Sequence, residues 1–284
     1  MENNKNKFVH LKVRSHFSIL EGSMKIADIV KAAKKTKMPA IALTDNTNVF
    51  GAMEFTKLCL DNGIQPIIGC MLKISKDHIG QNTIQSQAVN NFDITLLVKD
   101  IDGWKNLSTL ISKAYYNYKM EGVKCLNIKD LDCYNKGLIC LFSDLKEVDN
   151  NYNSTYLENK STALSLFRIF DNRFYIDLFR DQSIRSTNKE SFLLKLSFEL
   201  NIPLTCSNDI YFLNKDIYEA HECLNCIAQG TTIENPNRKK TNEESYFKDT
   251  NEMNKLFNDK QEAILNAINI AKRCSFILQE REPK

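Results

Sequence analysis

An excess of charge of either sign is what this sequence most clearly lacks: 38 Lys and Arg stand against 35 Asp and Glu, a formal balance of +3. That is too little for a protein that grips nucleic acid through a broad positive face, so DNA is not held by net charge. No uninterrupted apolar run approaches the roughly 20 residues of a membrane-spanning helix. The opening residues are polar and mixed in charge, without the apolar stretch of a secretory signal. These absences lead to the expectation of a soluble, cytoplasmic protein with no membrane partner. Also missing are the glycine loops that cradle phosphates (G-x-x-x-x-G-K-[ST], G-x-G-x-x-G) and the G-x-S-x-G elbow of many serine hydrolases. Cys223 and Cys226 have no second Cys-x-x-Cys to complete a structural zinc site. The nine cysteines, odd in number and scattered, read as reduced buried residues rather than a disulfide framework.

What remains is the composition of a globular chain, 43% hydrophobic and 26% charged over 284 residues. That length suits one large domain or two small ones. Ile26, Ile29, Val30 and Ala33 recur at helical spacing, with Lys31, Lys34, Lys35 and Lys37 off the stripe. The apolar run 39–44 then reads as a buried strand ending at Asp45-Asn46. A helix over 52–60, Asn62-Gly63 as its stop and a strand within 65–74 repeat the pattern. Further strands fall at 94–98, 137–142, 174–179 and 202–206, with helices near 104–118 and 189–200. Alternation on this scale predicts successive βα units, a parallel sheet and a closed or distorted barrel, whose chemistry sits where the strands end. Residues 76–91 are polar and read as a surface excursion. Residues 235–240, with Arg238-Lys239-Lys240, read as a solvated charged turn before a helical tail at 252–274. Ala220, Cys223, Leu224 and Ile227 form a helical stripe that favours core cysteines over a metal site at His221-Glu222-Cys223. The lysines at 31–37 look like an ordinary solvated helix face, with direct DNA binding the sharper and less economical reading.

His10, Lys12, Arg14 and His16 share one face by the two-residue period of a strand. Two cations between two imidazoles make a poor seat for a bare metal ion.

The order of several strings carries more. Phe8-Val9-His10-Leu11-Lys12-Val13-Arg14-Ser15-His16-Phe17-Ser18 with Leu20-Glu21-Gly22 comes first, then Ala42-Leu43-Thr44-Asp45-Asn46-Thr47-Asn48-Val49-Phe50-Gly51. Gly63-Ile64-Gln65-Pro66-Ile67-Ile68-Gly69-Cys70, Gly103-Trp104-Lys105-Asn106-Leu107 and Ser207-Asn208-Asp209-Ile210-Tyr211-Phe212 follow. This series resembles the polymerase-and-histidinol-phosphatase (PHP) domain that opens bacterial DNA polymerase III alpha subunits. The resemblance implies an α/β fold, a distorted (β/α)7 barrel of PHP type with a short helical C-terminal tail. It divides the chain into a polar tail (1–7), the barrel (8–230) and a charged turn with helical extension (231–284). In metal-binding relatives the barrel mouth holds ions for phosphoester hydrolysis. Here the first motif's histidines fall on Lys12 and Arg14, its acid on Glu21, the second motif's histidine on Asn46 and the third motif's glutamate on Met71. Later ligand positions carry Asp93, Asp144, Asp209 and Tyr211. The resemblance therefore implies a degenerate site with no metal and no catalytic residue, in which Arg14 or Lys12 contacts Asp209 or Glu21. Residual magnesium or manganese binding by Glu21, Asp93, Asp144 and Asp209 is the alternative. It further implies a structural, protein-binding module for the polymerase core and the proofreading exonuclease, meeting DNA only indirectly. The palm that carries out DNA-directed DNA polymerisation, a nucleotidyl transfer, is expected outside this chain. The competing expectation is a metal-dependent phosphoesterase or 3′-5′ exonuclease.

Overall fold

The computed structural model describes residues 7–75, 91–121, 124–144, 152–181 and 184–280. Residues 1–6 of the expected polar tail, 76–90 of the expected excursion and 281–284 lie outside the described residues. Helix α1 (Ile26–Lys35) buries the predicted stripe Ile26, Ile29, Val30 and Ala33, and carries Lys34 and Lys35 in its last turn, where the helix dipole favours cations. It leads into β1 (Ala40–Leu43), buried along its whole length as a parallel strand covered on both faces must be. Then come α2 (Ala52–Asp61), β2 (Gln65–Ser75), β3 (Asn91–Val98) and α3 (Ile101–Glu121). The short β4 (Leu126–Asn127) and α4 (Ile128–Cys133) precede β5 (Leu138–Phe142), α5 (Tyr152–Phe170), β6 (Phe174–Leu178), α6 (Ile184–Leu200) and β7 (Leu204–Cys206). Three further helices close the described chain: α7 (Tyr218–Gln229), α8 (Thr250–Leu256) and α9 (Gln261–Arg273).

The strands form a curled seven-stranded sheet in the order β1-β2-β3-β5-β6-β7, with β4 paired to β2. A seam strand brings its two ends together. Val13 pairs in parallel with Ile210, while Ala42 N donates to His10 O at 2.9 Å and Thr44 N to Val13 O at 2.8 Å. The segment 10–14 thus lies between β1 and the chain just after β7, and the result is a distorted barrel. One expectation needs correction, since the sheet is not parallel throughout. β3 runs antiparallel to β2, from Gly69↔Leu97 to Ser75↔Asn91, and antiparallel to β5. Antiparallel neighbours need no crossover helix, and the polar stretch before β3 carries no helical period. The reversal has a functional result: the start of β3, not its end, lies beside the ends of β5 and β6.

The helical tail is two helices rather than one. α9 buries Ala263, Ile264, Ala267, Ile268, Ile270 and Ala271, and all of these but Ile268 belong to the same core as the strands. Each isoleucine so buried contributes about 1.5–3 kcal/mol. Asn266 Nδ2 donates to Leu204 O at 2.8 Å and Gln65 Nε2 to Ala271 O at 2.8 Å. Beyond α9, Ser275 N bonds Lys99 O at 3.0 Å and Phe276 stacks on Trp104 at 5.7 Å, so the last described residues strap the base of the barrel.

The stripe expected on α7 is turned the other way. His221, Glu222, Asn225 and Cys226 face inward, while Cys223 is exposed and Ile227 is 69% exposed. The cause is a polar latch. Glu222 forms a buried ion pair with Arg238 and accepts Thr241 N at 3.0 Å, and Asn225 Nδ2 bonds Glu222 at 2.9 Å. The expected solvated turn therefore gives up Arg238 to the interior and leaves Lys239 and Lys240 exposed.

Candidate functional site: a cation-carboxylate barrel mouth

At the mouth, where the parallel strands end, the seam strand sends both its cations inward. Lys12 is 8% and Arg14 2% exposed. Lys12 Nζ lies 2.5 Å from Asp177 Oδ2, at the end of β6, and donates to Ser143 Oγ at 2.9 Å, just after β5. Asp177 is wholly buried and its Oδ2 also accepts Ser207 Oγ at 2.6 Å, from just beyond β7. Lys12 is held by that carboxylate, so it donates to Ser143 and is not placed to take its proton. A serine-lysine nucleophile is not what this pairing makes.

Arg14 forms an ion pair with Asp209, lies with Nη2 2.7 Å from Met71 Sδ, and stacks its guanidinium over the Tyr211 ring at 4.3 Å. Burial opposes the Arg14 charge, but Asp209 and its other acidic neighbours outweigh it and hold the guanidinium more firmly protonated than usual. Burial likewise works against the Asp209 carboxylate, yet the charges of Arg14 and Lys12 bring it below the ordinary carboxylate range. Burial pushes the Tyr211 phenol up. Its hydroxyl sits 3.5 Å from Asp209 Oδ2.

The remaining sequence-predicted residues form two smaller groups at the same rim. Asn46 Nδ2 donates to Glu21 Oε1 and Oε2 at 3.0 and 3.2 Å, an amide standing beside the acid. Asp144 Oδ2 accepts Asp93 N at 2.8 Å, and the Asp93 carboxylate turns to Lys73, its cross-strand partner, at 2.9 Å. Asp45 braces the whole from beneath: its carboxylate takes Ser15 N and Ser18 Oγ at 2.7 Å and Ser15 Oγ at 2.8 Å. Gly22 completes this tight loop, since a side chain there would strike the Ser15 carbonyl. The other two residues of the seam face take different parts. His10 is buried between Phe8 and Phe247, with Nε2 2.8 Å from Lys248 O, and burial lowers its pKa to about 4. His16 is exposed and lies 3.2 Å through Nδ1 from Met24 O.

Sequence reasoning missed Asp177, Ser207, Ser143 and Lys189. Asp177 had a signal, a lone acid inside the apolar strand Phe174–Leu178, since an unpaired charge there would be prohibitive. Lys189 had none. Burial lowers its pKa, against the opposing charges of Asp144, Asp209 and Asp177.

The resemblance to metal-dependent PHP domains sets a test of fit. Divalent ions need convergent oxygen or nitrogen donors without a fixed cation among them. Among the described residues, no three His, Cys, Asp or Glu side chains converge in that way. Asp177 and Asp209 are already bound by an ammonium and a guanidinium. The donor set does not fit a metal cluster.

Comparison with known proteins adds a family. The DNA polymerase III subunit alpha of Caulobacter vibrioides (strain NA1000 / CB15N) is 35% identical over 278 residues, spanning 97% of this chain and 24% of that protein. That of Borreliella burgdorferi (strain ATCC 35210 / DSM 4680 / CIP 102532 / B31) is 35% identical over 283 residues, spanning 95% and 24%. The chain thus spans about a quarter of the length of the curated relatives it matches. A putative metal-dependent phosphoesterase from Bifidobacterium adolescentis ATCC 15703 superposes with a TM-score of 0.47 at 11% identity, over 73% of this chain and 88% of that one. The sequence profile described as the PHP domain matches residues 10–181, from the seam strand through β6 and more than half of the whole. On that match the chain belongs to the PHP domain family.

Proposed function

We propose that this chain is the PHP domain of a DNA polymerase III alpha subunit in which the former metal site has become a structural ion-pair core. Its task is that of a binding module, holding the polymerase core and the proofreading exonuclease subunit in the cytoplasm, with DNA reached only through them. The nucleotidyl-transfer chemistry of DNA-directed DNA polymerase belongs to the rest of such a subunit. No helix among the described residues is long and apolar enough to cross a membrane. The observation that carries the reading is the pair of buried cations, Lys12 on Asp177 and Arg14 on Asp209. A carboxylate cluster without a metal repels itself, and fixed positive charges relieve that repulsion. No catalytic residue is assigned.

The test is calorimetric titration of the purified chain with manganese and zinc, beside assays with p-nitrophenyl phosphate and single-stranded DNA. The expected result is no tight binding and no turnover. Tight binding with metal-dependent hydrolysis would instead establish the phosphoesterase or exonuclease reading, with Glu21, Asp93, Asp144 and Asp209 as ligands. Binding of the chain to the polymerase core and the exonuclease subunit is checked by size-exclusion chromatography of the mixtures.

A further inference from the structure

One buried polar side chain takes no part in the ion pairs of either the mouth or the α7 latch. His221, on the inner face of α7, is 1% exposed, and neither of its ring nitrogens has a hydrogen-bond partner. Its imidazole lies against two rings of the chain just after β7, with centroids 5.9 Å from Tyr211 and 5.0 Å from Phe212. Buried polar groups are almost always paired, so a bare imidazole in this place needs a reason. Burial lowers its pKa from 6.5, against the opposing charge of Glu222.

The groups around the ring decide what a proton there would do. On α7 itself the Glu222 carboxylate is taken: Oε1 accepts Thr241 N and Asn225 Nδ2, and Oε2 accepts Arg238 from the turn. Tyr218, also on α7, donates its hydroxyl to Thr241 O at 3.1 Å. From the side of the barrel Tyr211 offers only its ring, and the Arg14 guanidinium, paired with Asp209, already lies over that ring at 4.3 Å. An imidazolium at 221 would therefore find no free acceptor, with one guanidinium behind Tyr211 and another on Glu222. A buried charge without a partner is the expensive case.

We infer that α7 is a proton-sensitive latch: protonation of His221 releases α7 and the turn at 238–241 from the barrel while the strands stay paired. Opening gives the imidazolium water and a share of Glu222. It disturbs little else, since the latch cation comes from a surface turn and Cys223 and Ile227 on the outer face already meet solvent. The folded pKa is lowered, so the closed form is fully favoured above pH 6.5 and loses ground as pH falls below it. This behaviour goes beyond the scaffold reading and does not depend on it.

The experiment is hydrogen exchange on the full chain from about pH 7.5 down to about 5.5, with each rate divided by the intrinsic rate at that pH. Amides of α7 and of residues 238–241 should be less protected than the barrel strands throughout, and their protection should fall by up to about tenfold per pH unit below 6.5. His221→Phe keeps a ring in place and removes the proton site, so that fall should vanish. His10→Gln should leave it intact, because opening the latch does not uncover His10. Nuclear magnetic resonance of the wild-type imidazoles gives a second readout that needs no variant, with His221 titrating below 6.5. Protection of α7 that ignores pH, a fall that survives His221→Phe, α7 amides that exchange only with the strands, or His221 titrating at or above 6.5 would each overturn the latch.

Discussion

The barrel mouth and the α7 latch solve the same problem with different parts. Each buries an arginine or lysine against a carboxylate, Lys12 on Asp177 and Arg14 on Asp209 in one, Arg238 on Glu222 in the other. At the mouth the cations come from the seam strand of the barrel and their partners from strand ends, and Lys12 and Asp177 are both buried, so neither of that pair can retreat to water. In the latch the cation comes from a surface turn, which can swing out and be solvated. A buried pair is weak evidence for net stability in either place, but breaking one is costly in proportion to how firmly the survivor is trapped. The comparison therefore predicts a gradient of effects rather than two equal ones.

The steepest point should be Lys12→Met. It leaves the wholly buried Asp177 without its counter-charge and is expected to cost about 3–5 kcal/mol in urea unfolding. The double variant Lys12→Met/Asp177→Leu should return most of that loss, since it removes both charges and fills the space with apolar atoms. A double variant as unstable as the single one would mean that the pair has no such trapped survivor.

His10 gives a smaller effect that depends on pH. Its folded pKa is lowered to about 4 against 6.5 in the unfolded chain, so the unfolded state takes up a proton first as pH falls. Stability is then full above pH 6.5, declines between 6.5 and about 4, and levels off below, with a total of at most roughly 3 kcal/mol. Denaturant midpoints of wild type and His10→Gln across that range should converge at low pH. Asp209 adds a second acid loss of the opposite type. Its folded pKa is depressed, so its contribution is present above the unfolded carboxylate pKa and disappears as pH falls through the folded one.

Arg238→Ala should lower Tm, but by less than Lys12→Met, because the turn that carries it can open. Hydrogen exchange should show faster amides at residues 238–241 and along α7 while the barrel strands keep their protection. Equal effects at mouth and latch would erase the distinction drawn here. At the shallow end, Lys57→Ala removes a surface pair with Glu280, both partners more than half exposed. Its effect should stay within about 0.5 kcal/mol.

The same contrast shows what the sequence makes legible. Strands β1, β5, β6 and β7 and helices α1 and α2 follow from apolar runs and the helical period, because burial decides their pattern. The mouth was legible through the order of its strings, and the structure brings Arg14, Met71, Asp209 and Tyr211 into one contact group. Lys12 goes instead to Asp177, a partner that no motif string contained. The reversal of β3 was harder to see, since a strand's composition does not record its direction. The latch was read inside out. Hydrophobic periodicity gave α7 an apolar face of Ala220, Cys223, Leu224 and Ile227, but paired polar groups outweighed it, and local spacing cannot see an arginine 16 residues away. Helix α5 was hidden by the Asn, Ser and Thr of its first half, which favour turns in isolation and are overridden by packing.

The seam strand also bears on how the chain reaches this state. Val13 must find Ile210 before the ring of strands can close, a contact between residues far apart in the sequence. Loop-closure entropy makes such distant pairings late and slow. During synthesis this strand leaves the ribosome long before its neighbour beyond β7 exists, so residues 10–14 must wait with one edge open and the charges of Lys12 and Arg14 uncovered. Closure then buries Lys12 and Arg14 together with their partners in a single late step. The part of the barrel made first is the part finished last.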